Sequence, residues 1–261
     1  MTKTLTETWN MILSTRFSLL RRVNTVLVRN ARSYTVAPSS LEGSKWYVEN
    51  NSSIPKEFNS VFELTQERFP DAFKMINPIQ GQLLKQIVRF TKARNILEIG
   101  TFTGYSALCM LAGLPTTEKC RLVTCEADET AAQAAKESFQ NFDKHNMIEL
   151  IFGPAQKTLE AFPTGTQFDL IFLDANKGGY VQYYETILSQ DLLADEGLII
   201  ADNVLFRGEV PMVATDPIGT KKMKAAQAMH RFNEYVSQDS RTEQVILPLF
   251  DGLNFIQKVR K

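Results

Sequence analysis

The chain has 261 residues, of which 44% are hydrophobic and 22% are charged. This composition is typical of a globular protein that buries a sizeable core, either as one domain with an extension or as two small domains. Lys and Arg together number 29, as do Asp and Glu, so the charge balance gives no reason to expect a nucleic acid as partner. No apolar run reaches the roughly 18 residues of a membrane-spanning helix, and no transmembrane segment is predicted.

The cysteines and histidines do not form a recognisable metal motif. Cys109, Cys120 and Cys125 show no zinc-like spacing with the only two histidines, His145 and His230. We therefore predict buried free thiols and no disulfide framework.

The first 36 residues differ from the rest of the chain. They contain six Lys or Arg residues and a single acid, Glu7, interspersed with apolar, Ser and Thr residues. An arginine-rich, acid-poor and amphipathic beginning is typical of a mitochondrial transit peptide, with cleavage near Tyr34. The alternative is a disordered basic extension or an amphipathic surface helix on a cytoplasmic protein. Residues 37–54 are rich in Ser, Asn and Pro and are predicted to be a linker, which leaves 55–261 as the folded domain.

Two helices are predicted at the start of this domain, one from Pro55 and one over 80–90, and the segment 75–81 joins them as a turn. The segment 95–107, NILEIGTFTGYSA, follows them. It indicates a buried strand, a tight turn at Gly100 and a helix that begins at Gly104 next to a ligand. The alternative is an ordinary strand-to-helix turn, since the middle glycine of the dehydrogenase fingerprint is absent.

Strands and helices then alternate along the chain. Strands are predicted over 121–126, 147–152, 168–174 and 197–202, and helices over 128–142, 155–162 and 179–193. Such alternation predicts an α/β fold, in which a parallel sheet is covered by helices on both faces and binds its ligand at the carboxyl ends of the strands.

The end of the chain departs from this alternation. A helix over 221–236 precedes two apolar runs, 244–249 and 253–259, which are joined through Asp251-Gly252. Because Asp-Gly between apolar runs is a strong hairpin signal, we expect an antiparallel C-terminal hairpin on a seven-stranded, mostly parallel sheet.

Polar residues stand where the predicted strands end. Glu126 closes the second strand, where a carboxylate commonly binds a ribose diol; the alternative is an exposed loop carboxylate. Asp174, Asp202 and Asn203 close two later strands and provide three oxygen donors suited to Mg²⁺ or Ca²⁺. Helix capping is the alternative role for each of them.

Lys177 lies three residues after Asp174. A solvated lysine is the default interpretation. Next to a divalent cation, however, the pKa of its ammonium would be lowered, which is one way for a lysine to become a general base near neutral pH.

Four segments, in this order, resemble the cation-dependent O-methyltransferase family that includes caffeoyl-CoA and catechol O-methyltransferases: LEIGTFTGYSAL, FDLIFLDANKGGYVQYY, GLIIADNVLFRGEV and LPLFDGLNFIQK. The resemblance extends from about residue 75 to 258 and implies a Rossmann-like methyltransferase fold. It implies that S-adenosylmethionine is held by Glu98, Gly100, Ser106, Glu126, Ala155 and Asp174. Asp174, Asp202 and Asn203 would bind the metal, and Lys177 and Asp174 would be the catalytic residues. Ile79 departs from the family pattern, because relatives usually carry an acidic residue there.

The resemblance further implies a homodimer that methylates a hydroxyl of a small phenol with two adjacent hydroxyls. The surface that selects the acceptor is expected in the segment after Met75, the loop 204–217 and the final hairpin. Two other functions remain open at this point: a catalytically silent relative that binds S-adenosylmethionine, and a nicotinamide-dependent oxidoreductase on a similar sheet.

Overall fold

The structure is a computed structural model that describes residues 47–116 and 119–260. A compact unit that begins at Ser53 carries the fold, and residues 47–51, which precede it, are helical. The proposed leader 1–36 and most of the linker lie outside the described residues, so the division of the chain into leader, linker and domain stays a prediction.

The compact unit is built on one seven-stranded sheet. The strands are β1 (Asn95–Ile99), β2 (Arg121–Glu126), β3 (Ile148–Phe152), β4 (Phe168–Leu173), β5 (Leu193–Asp202), β6 (Thr242–Leu247) and β7 (Leu253–Lys258). Their order in the sheet is β3-β2-β1-β4-β5-β7-β6. Strands β1 to β5 are parallel, and β7 lies antiparallel between β5 and β6. The predicted α/β fold, with a mostly parallel seven-stranded sheet and an antiparallel C-terminal hairpin, is therefore confirmed.

Helices cover both faces of the sheet. They are α1 (Asn59–Arg68), α2 (Pro78–Thr91), α3 (Tyr105–Leu111), α4 (Glu129–Phe142), α5 (Ala155–Glu160), α6 (Tyr180–Ser189), α7 (Val210–Thr215) and α8 (Lys224–Ser237). Successive strand residues point to opposite faces, so in β1 Ile96 belongs to one apolar core and Leu97 and Ile99 belong to the other. The first core also contains residues of α1 to α4, and the second contains residues of α5 to α8.

Several predicted boundaries differ from the observed ones, most clearly the two around the start of β5. The helix predicted over 179–193 ends at Ser189, and β5 begins at Leu193 rather than at Gly197. The sequence did not indicate the early start of β5 because residues 194–196, Ala-Asp-Glu, show no apolar alternation. In the structure Leu193 nevertheless pairs with Phe168, across a register shift in the β4–β5 ladder. The predicted loop 204–217 contains the short helix α7, which sequence periodicity did not reveal because it has only 6 residues.

Gly100 and Gly104 shape the turn after β1. Both have positive φ, 93° and 91°, in the region that favours glycine. A Cβ on Gly100 would lie 2.4 Å from the backbone oxygen of Asp174, so this glycine lets the loops after β1 and β4 approach each other. Gly104 is the N-cap residue of α3, as predicted.

The cysteines are free thiols, as predicted; Cys109 and Cys125 are buried and Cys120 is half-buried. Among the described residues, no helix combines the length and the apolar character that crossing a membrane requires.

Candidate active site

A cavity of about 960 Å³ opens at the carboxyl ends of the parallel strands. It brings together seven of the nine residues predicted for the site: Gly100, Ser106, Glu126, Ala155, Asp174, Lys177 and Asn203. The other two, Glu98 and Asp202, do not line the cavity; they are buried, with 0% and 2% of their surfaces exposed. A second, more open depression of about 1080 Å³ over α4 and β3 contains none of the predicted residues.

Glu98 is a buried carboxylate near the carboxyl end of β1. Its Oε1 accepts a hydrogen bond from Ser106 Oγ at 2.5 Å, and its Oε2 accepts one from Thr124 Oγ1 at 2.6 Å. Burial raises the pKa of Glu98 to about 7, although these hydrogen bonds oppose the rise. Ser106 lines the cavity and Glu98 does not, so the serine hydroxyl connects the buried carboxylate to the cavity wall.

Glu126 ends β2 at the cavity, and backbone amides fix its orientation. Its Oε2 accepts from the amide of Phe102 at 2.8 Å, and its Oε1 accepts from the amides of Ala127 and Asp128 at 2.9 Å each. The loop after β1 is thereby tied to the end of β2. A carboxylate held in this way is fixed in position yet still lines the cavity, so it is available to the hydroxyl groups of a ligand.

Asp174 comes directly after β4, Asp202 is the last residue of the neighbouring strand β5, and Asn203 comes next. Asp202 Oδ1 accepts from the amide of Asn203 at 2.6 Å. Burial, together with the negative charge of Asp174, raises the pKa of Asp202 above its ordinary value. Asn203 has φ of 59°, a left-handed conformation that asparagine tolerates better than most residues.

This donor set fits a hard divalent cation. Two carboxylates that repel each other and one amide oxygen are the groups that Mg²⁺ or Ca²⁺ accepts, and a cation would offset the repulsion. Across residues 47–116 and 119–260, no group of three or more His, Cys, Asp and Glu side chains is placed to hold a metal ion, and the predicted set has only two carboxylates. The assignment of these three residues to a metal therefore remains a prediction.

Lys177 is 15% exposed and lies beside Asp174 and Tyr180. Its Nζ donates to Asp174 Oδ1 at 3.0 Å and to the Tyr180 hydroxyl at 3.1 Å. Burial disfavours the ammonium, but the neighbouring Tyr180 oxygen and the Asp174 carboxylate outweigh this effect, and the pKa of Lys177 lies above its ordinary value. The lowered pKa expected from the sequence would have to come from a bound cation.

Gln80 is a site residue that sequence reasoning missed. It lies in the first turn of α2, and its Nε2 donates to Asp202 Oδ2 at 2.6 Å within the buried interior. Asn77 accepts from the Gln80 amide at 2.9 Å, and Pro78 follows at the first helical position. The Asn-Pro pair is a helix-start signal, which could have placed Gln80 in the first turn, but nothing in the sequence links it to a residue 122 positions away.

The sheet order, the antiparallel seventh strand and the acidic residues around the cavity together define a Rossmann-like methyltransferase. The model of the O-methyltransferase family matches residues 49–259, and the chain belongs to this family.

Relatives and solved structures agree with this assignment. The chain is 34% identical over 219 residues to O-methyltransferase ankF of Aspergillus thermomutatus, covering 82% of this chain and 91% of the relative. It is 36% identical over 200 residues to catechol O-methyltransferase domain-containing protein 1 of Mus musculus, covering 75% and 72%. The crystal structure of the SAH-bound methyltransferase PaMTH1 of Podospora anserina superposes with a TM-score of 0.78 at 34% identity, covering 88% of this chain and 100% of the other.

The resemblance to caffeoyl-CoA and catechol O-methyltransferases is confirmed, since the matching relatives include a caffeoyl-CoA O-methyltransferase of Stellaria longipes and the catechol O-methyltransferase domain-containing protein of Mus musculus. The chain is accordingly a S-adenosylmethionine-dependent O-methyltransferase, and the nicotinamide-dependent alternative is wrong.

Proposed function

We propose that the protein transfers the methyl group of S-adenosylmethionine to a hydroxyl of a small phenol with two adjacent hydroxyls, with a divalent cation, Mg²⁺ or Ca²⁺, bound by Asp174, Asp202 and Asn203. The observation that carries the proposal is that Asp174, Asn203 and Lys177 line one cavity, while buried Asp202, next to Asn203 in the chain, is close enough to Asp174 for the two charges to interact. The same cavity is lined by Gly100 and Glu126, which belong to the strand ends predicted to hold the cofactor.

The cofactor half of the site would be formed by Glu98, Gly100, Ser106, Glu126 and Ala155, with Asp174 at its border. Glu126, fixed by three backbone amides, suits the two hydroxyls of a ribose. Buried Glu98 would favour a cationic group near Ser106, because a nearby positive charge offsets the cost of ionising the Glu98 carboxyl group. When bound, S-adenosylmethionine supplies an electrophilic methyl group.

In the acceptor half, a bound cation supplies charge that lowers the pKa of a coordinated hydroxyl. Asp202 would be held in orientation by Gln80, and outer hydrogen bonds of this kind tune a ligand carboxylate. The side chain of Lys177, held by Asp174 and Tyr180, would take up the proton of the acceptor hydroxyl at Nζ or stabilise the oxyanion that forms. A fixed arrangement of reacting groups contributes up to roughly 7–11 kcal/mol to lowering a barrier.

The test is methyl transfer from labelled S-adenosylmethionine to a panel of catechols and caffeoyl conjugates, with Mg²⁺ and with EDTA. Turnover that EDTA abolishes and Mg²⁺ restores is the expected result. Asp202→Asn should lose this turnover, whereas Asp195→Asn, which changes an exposed carboxylate at the other end of β5, should keep it. Full turnover in EDTA would contradict the role of the cation. Cofactor binding without turnover on any member of the panel would contradict the proposed class of acceptor.

We also propose, from the resemblance and from the composition of residues 1–36, that the protein is a mitochondrial homodimer. Light scattering of the purified protein tests the dimer, and import of the full chain into isolated mitochondria, with shortening near Tyr34, tests the location. A monomer at micromolar concentration, or a chain that is not imported, would contradict the respective part.

A further inference from the structure

The mouth of the cavity carries an arginine between two aromatic rings. Arg207 lies in the loop after β5, and its guanidinium carbon is 5.4 Å from the ring centroid of Phe206 and 5.7 Å from that of Phe73. All three residues line the cavity that also contains Asp174 and Lys177. Phe73 is 72% exposed, an unusual degree for a large apolar side chain. These rings restrict the guanidinium without neutralising it.

Arg207 differs in its charge partners from the other cationic residues of the cavity lining. The other three each have a carboxylate close by: Arg68 has Glu137 at 3.9 Å, Lys74 has Asp71 at 2.5 Å, and Lys177 has Asp174 at 3.0 Å. In the described part of the chain, Arg207 forms no ion pair with a carboxylate. Its backbone amide donates to Asp251 Oδ1 at 3.0 Å. Within the described residues the guanidinium itself makes no hydrogen bond, so its donors are available to a ligand.

The backbone holds this arginine at some cost. Phe206 and Arg207 have positive φ of 31° and 55°, which is unfavourable for both residue types. Contacts with the turn between β6 and β7 maintain the conformation: the amide of Leu205 donates to Asp251 O at 2.9 Å, in addition to the bond from Arg207. Strained residues that are held in this way at a ligand cavity are commonly found where they serve binding.

We propose that Arg207 is a specificity-determining residue that binds a carboxylate on the acceptor, so that the preferred acceptor is an aromatic diol that carries a carboxylate. This inference rests on the proposed function, which gives the acceptor as an aromatic diol, and adds that the acceptor carries a carboxylate. A planar guanidinium donates two parallel hydrogen bonds to a carboxylate. In the described part of the chain no carboxylate pairs with the guanidinium, although Asp251 lies at the backbone amide of Arg207; the guanidinium can therefore pair with one carboxylate of a ligand, and a neutral acceptor would not provide one. The rings of Phe73 and Phe206 provide apolar surface for the aromatic part of the same acceptor.

The experiment compares two probes that differ in one charge: protocatechuate, a benzoate with two adjacent hydroxyls, and its neutral methyl ester. Equilibrium binding of each is measured by calorimetry in the presence of S-adenosylhomocysteine and Mg²⁺, and methyl transfer to each is measured separately. The full chain is used as wild type, Arg207→Gln and Arg207→Lys. Arg231→Gln is the matched control, because Arg231 is an exposed arginine of α8 that does not line the cavity.

The wild type should bind protocatechuate about 10- to 100-fold more tightly than the ester, the range expected for a charge-assisted pair of hydrogen bonds. Arg207→Gln should remove this preference while binding of the ester and of S-adenosylhomocysteine stays within about twofold of wild type. Arg207→Lys should retain part of it, and Arg231→Gln should retain all of it. Equal binding of the two probes by the wild type, binding of neither, or an unchanged preference in Arg207→Gln would overturn the inference.

Binding and turnover separate the two proposals. If protocatechuate binds through Arg207 but is not methylated, the arginine inference stands and the proposed reaction fails. If both probes are methylated at the same rate and Arg207→Gln has no selective effect, the reaction stands and the arginine inference fails.

Discussion

The two walls of the cavity are built in different ways. We call the carboxyl ends of β1, β2, β4 and β5 the strand-end wall; Glu126, Asp174 and Lys177 line the cavity there, and Glu98 and Asp202 are buried there without lining it. Hydroxyls and backbone amides fix Glu98 and Glu126, Lys177 donates to Asp174, and Gln80 donates to Asp202. The loop wall consists of Phe73 and the segment 203–207, in which three of five residues have positive φ.

Because the two walls are built differently, we expect the strand-end wall to serve the reaction and the loop wall to select the acceptor. The strand-end wall is determined by the sheet and its register, so its geometry should change little among proteins of the same fold. The loop wall depends on short contacts with the β6–β7 turn, such as the hydrogen bond between Arg207 and Asp251. A loop can change its residues without changing the sheet, so the loop wall is where we expect this protein's own selectivity to reside.

The largest effect should come from the strand-end wall. Lys177→Ala removes the proposed proton acceptor, and kcat should fall by about 10²- to 10⁴-fold, the usual contribution of a general base. Binding of S-adenosylmethionine, measured by calorimetry, should stay close to wild type. Lys157→Ala, which alters an exposed lysine of α5, provides the control and should keep full activity. A kcat within a factor of three of wild type would remove Lys177 from the mechanism.

Glu98, in the strand-end wall, should make the folded protein less stable at high pH. Its pKa is raised from 4.5 to about 7, so the folded state holds the proton more tightly than the unfolded state. The stabilisation from that proton is complete below the unfolded-state pKa of 4.5, and it is lost as the pH rises through the folded-state pKa of about 7. Relative to Glu98→Gln, the free energy of unfolding of the wild type should therefore fall by about 3 kcal/mol between these limits. Urea denaturation without ligands at pH 5 and pH 8 measures this, and a difference that is independent of pH would contradict it.

Gln80 tests whether the strand-end wall needs support from outside the sheet. Gln80→Leu removes the donor to Asp202 Oδ2, and kcat/KM with Mg²⁺ should fall by about 10- to 100-fold, as for other outer hydrogen bonds of metal ligands. Raising the Mg²⁺ concentration should restore part of the loss, because the defect lies in holding the cation. Gln82→Leu, on the same helix, is the control. A loss that no concentration of Mg²⁺ relieves would argue for a general structural defect instead.

The smallest effect should come from the loop wall. Phe73→Leu keeps an apolar side chain but removes the ring beside Arg207, and the acceptor affinity should fall by about two- to fivefold, in line with an exposed cation–π contact. The free energy of unfolding should change by less than about 0.5 kcal/mol, since Phe73 is 72% exposed. Phe90→Leu, at an exposed position outside the cavity, should change neither quantity. A larger effect on kcat than on affinity would place Phe73 in the reaction rather than at the mouth.

The two walls also differ in how far they could be predicted from the sequence. Glu126, Asp174 and Asp202 were placed correctly at strand ends, because apolar runs mark parallel strands and the fold brings their carboxyl ends together. The hydrogen bond from Gln80 to Asp202 was not predictable, since it depends on the angle at which α2 packs against the sheet. The left-handed backbone at Phe206 and Arg207 was also missed, because neither residue type indicates positive φ.

A divalent cation at the ends of β4 and β5 is tested most directly by Mn²⁺ binding, followed through the electron paramagnetic resonance signal of free Mn²⁺. We expect one saturable site per chain in the wild type and in Asp195→Asn, competed by Mg²⁺. In Asp202→Asn the affinity should be weaker by at least about tenfold. Absence of saturable binding in the wild type, or equal affinity in Asp202→Asn, would show that these strand ends do not hold a cation.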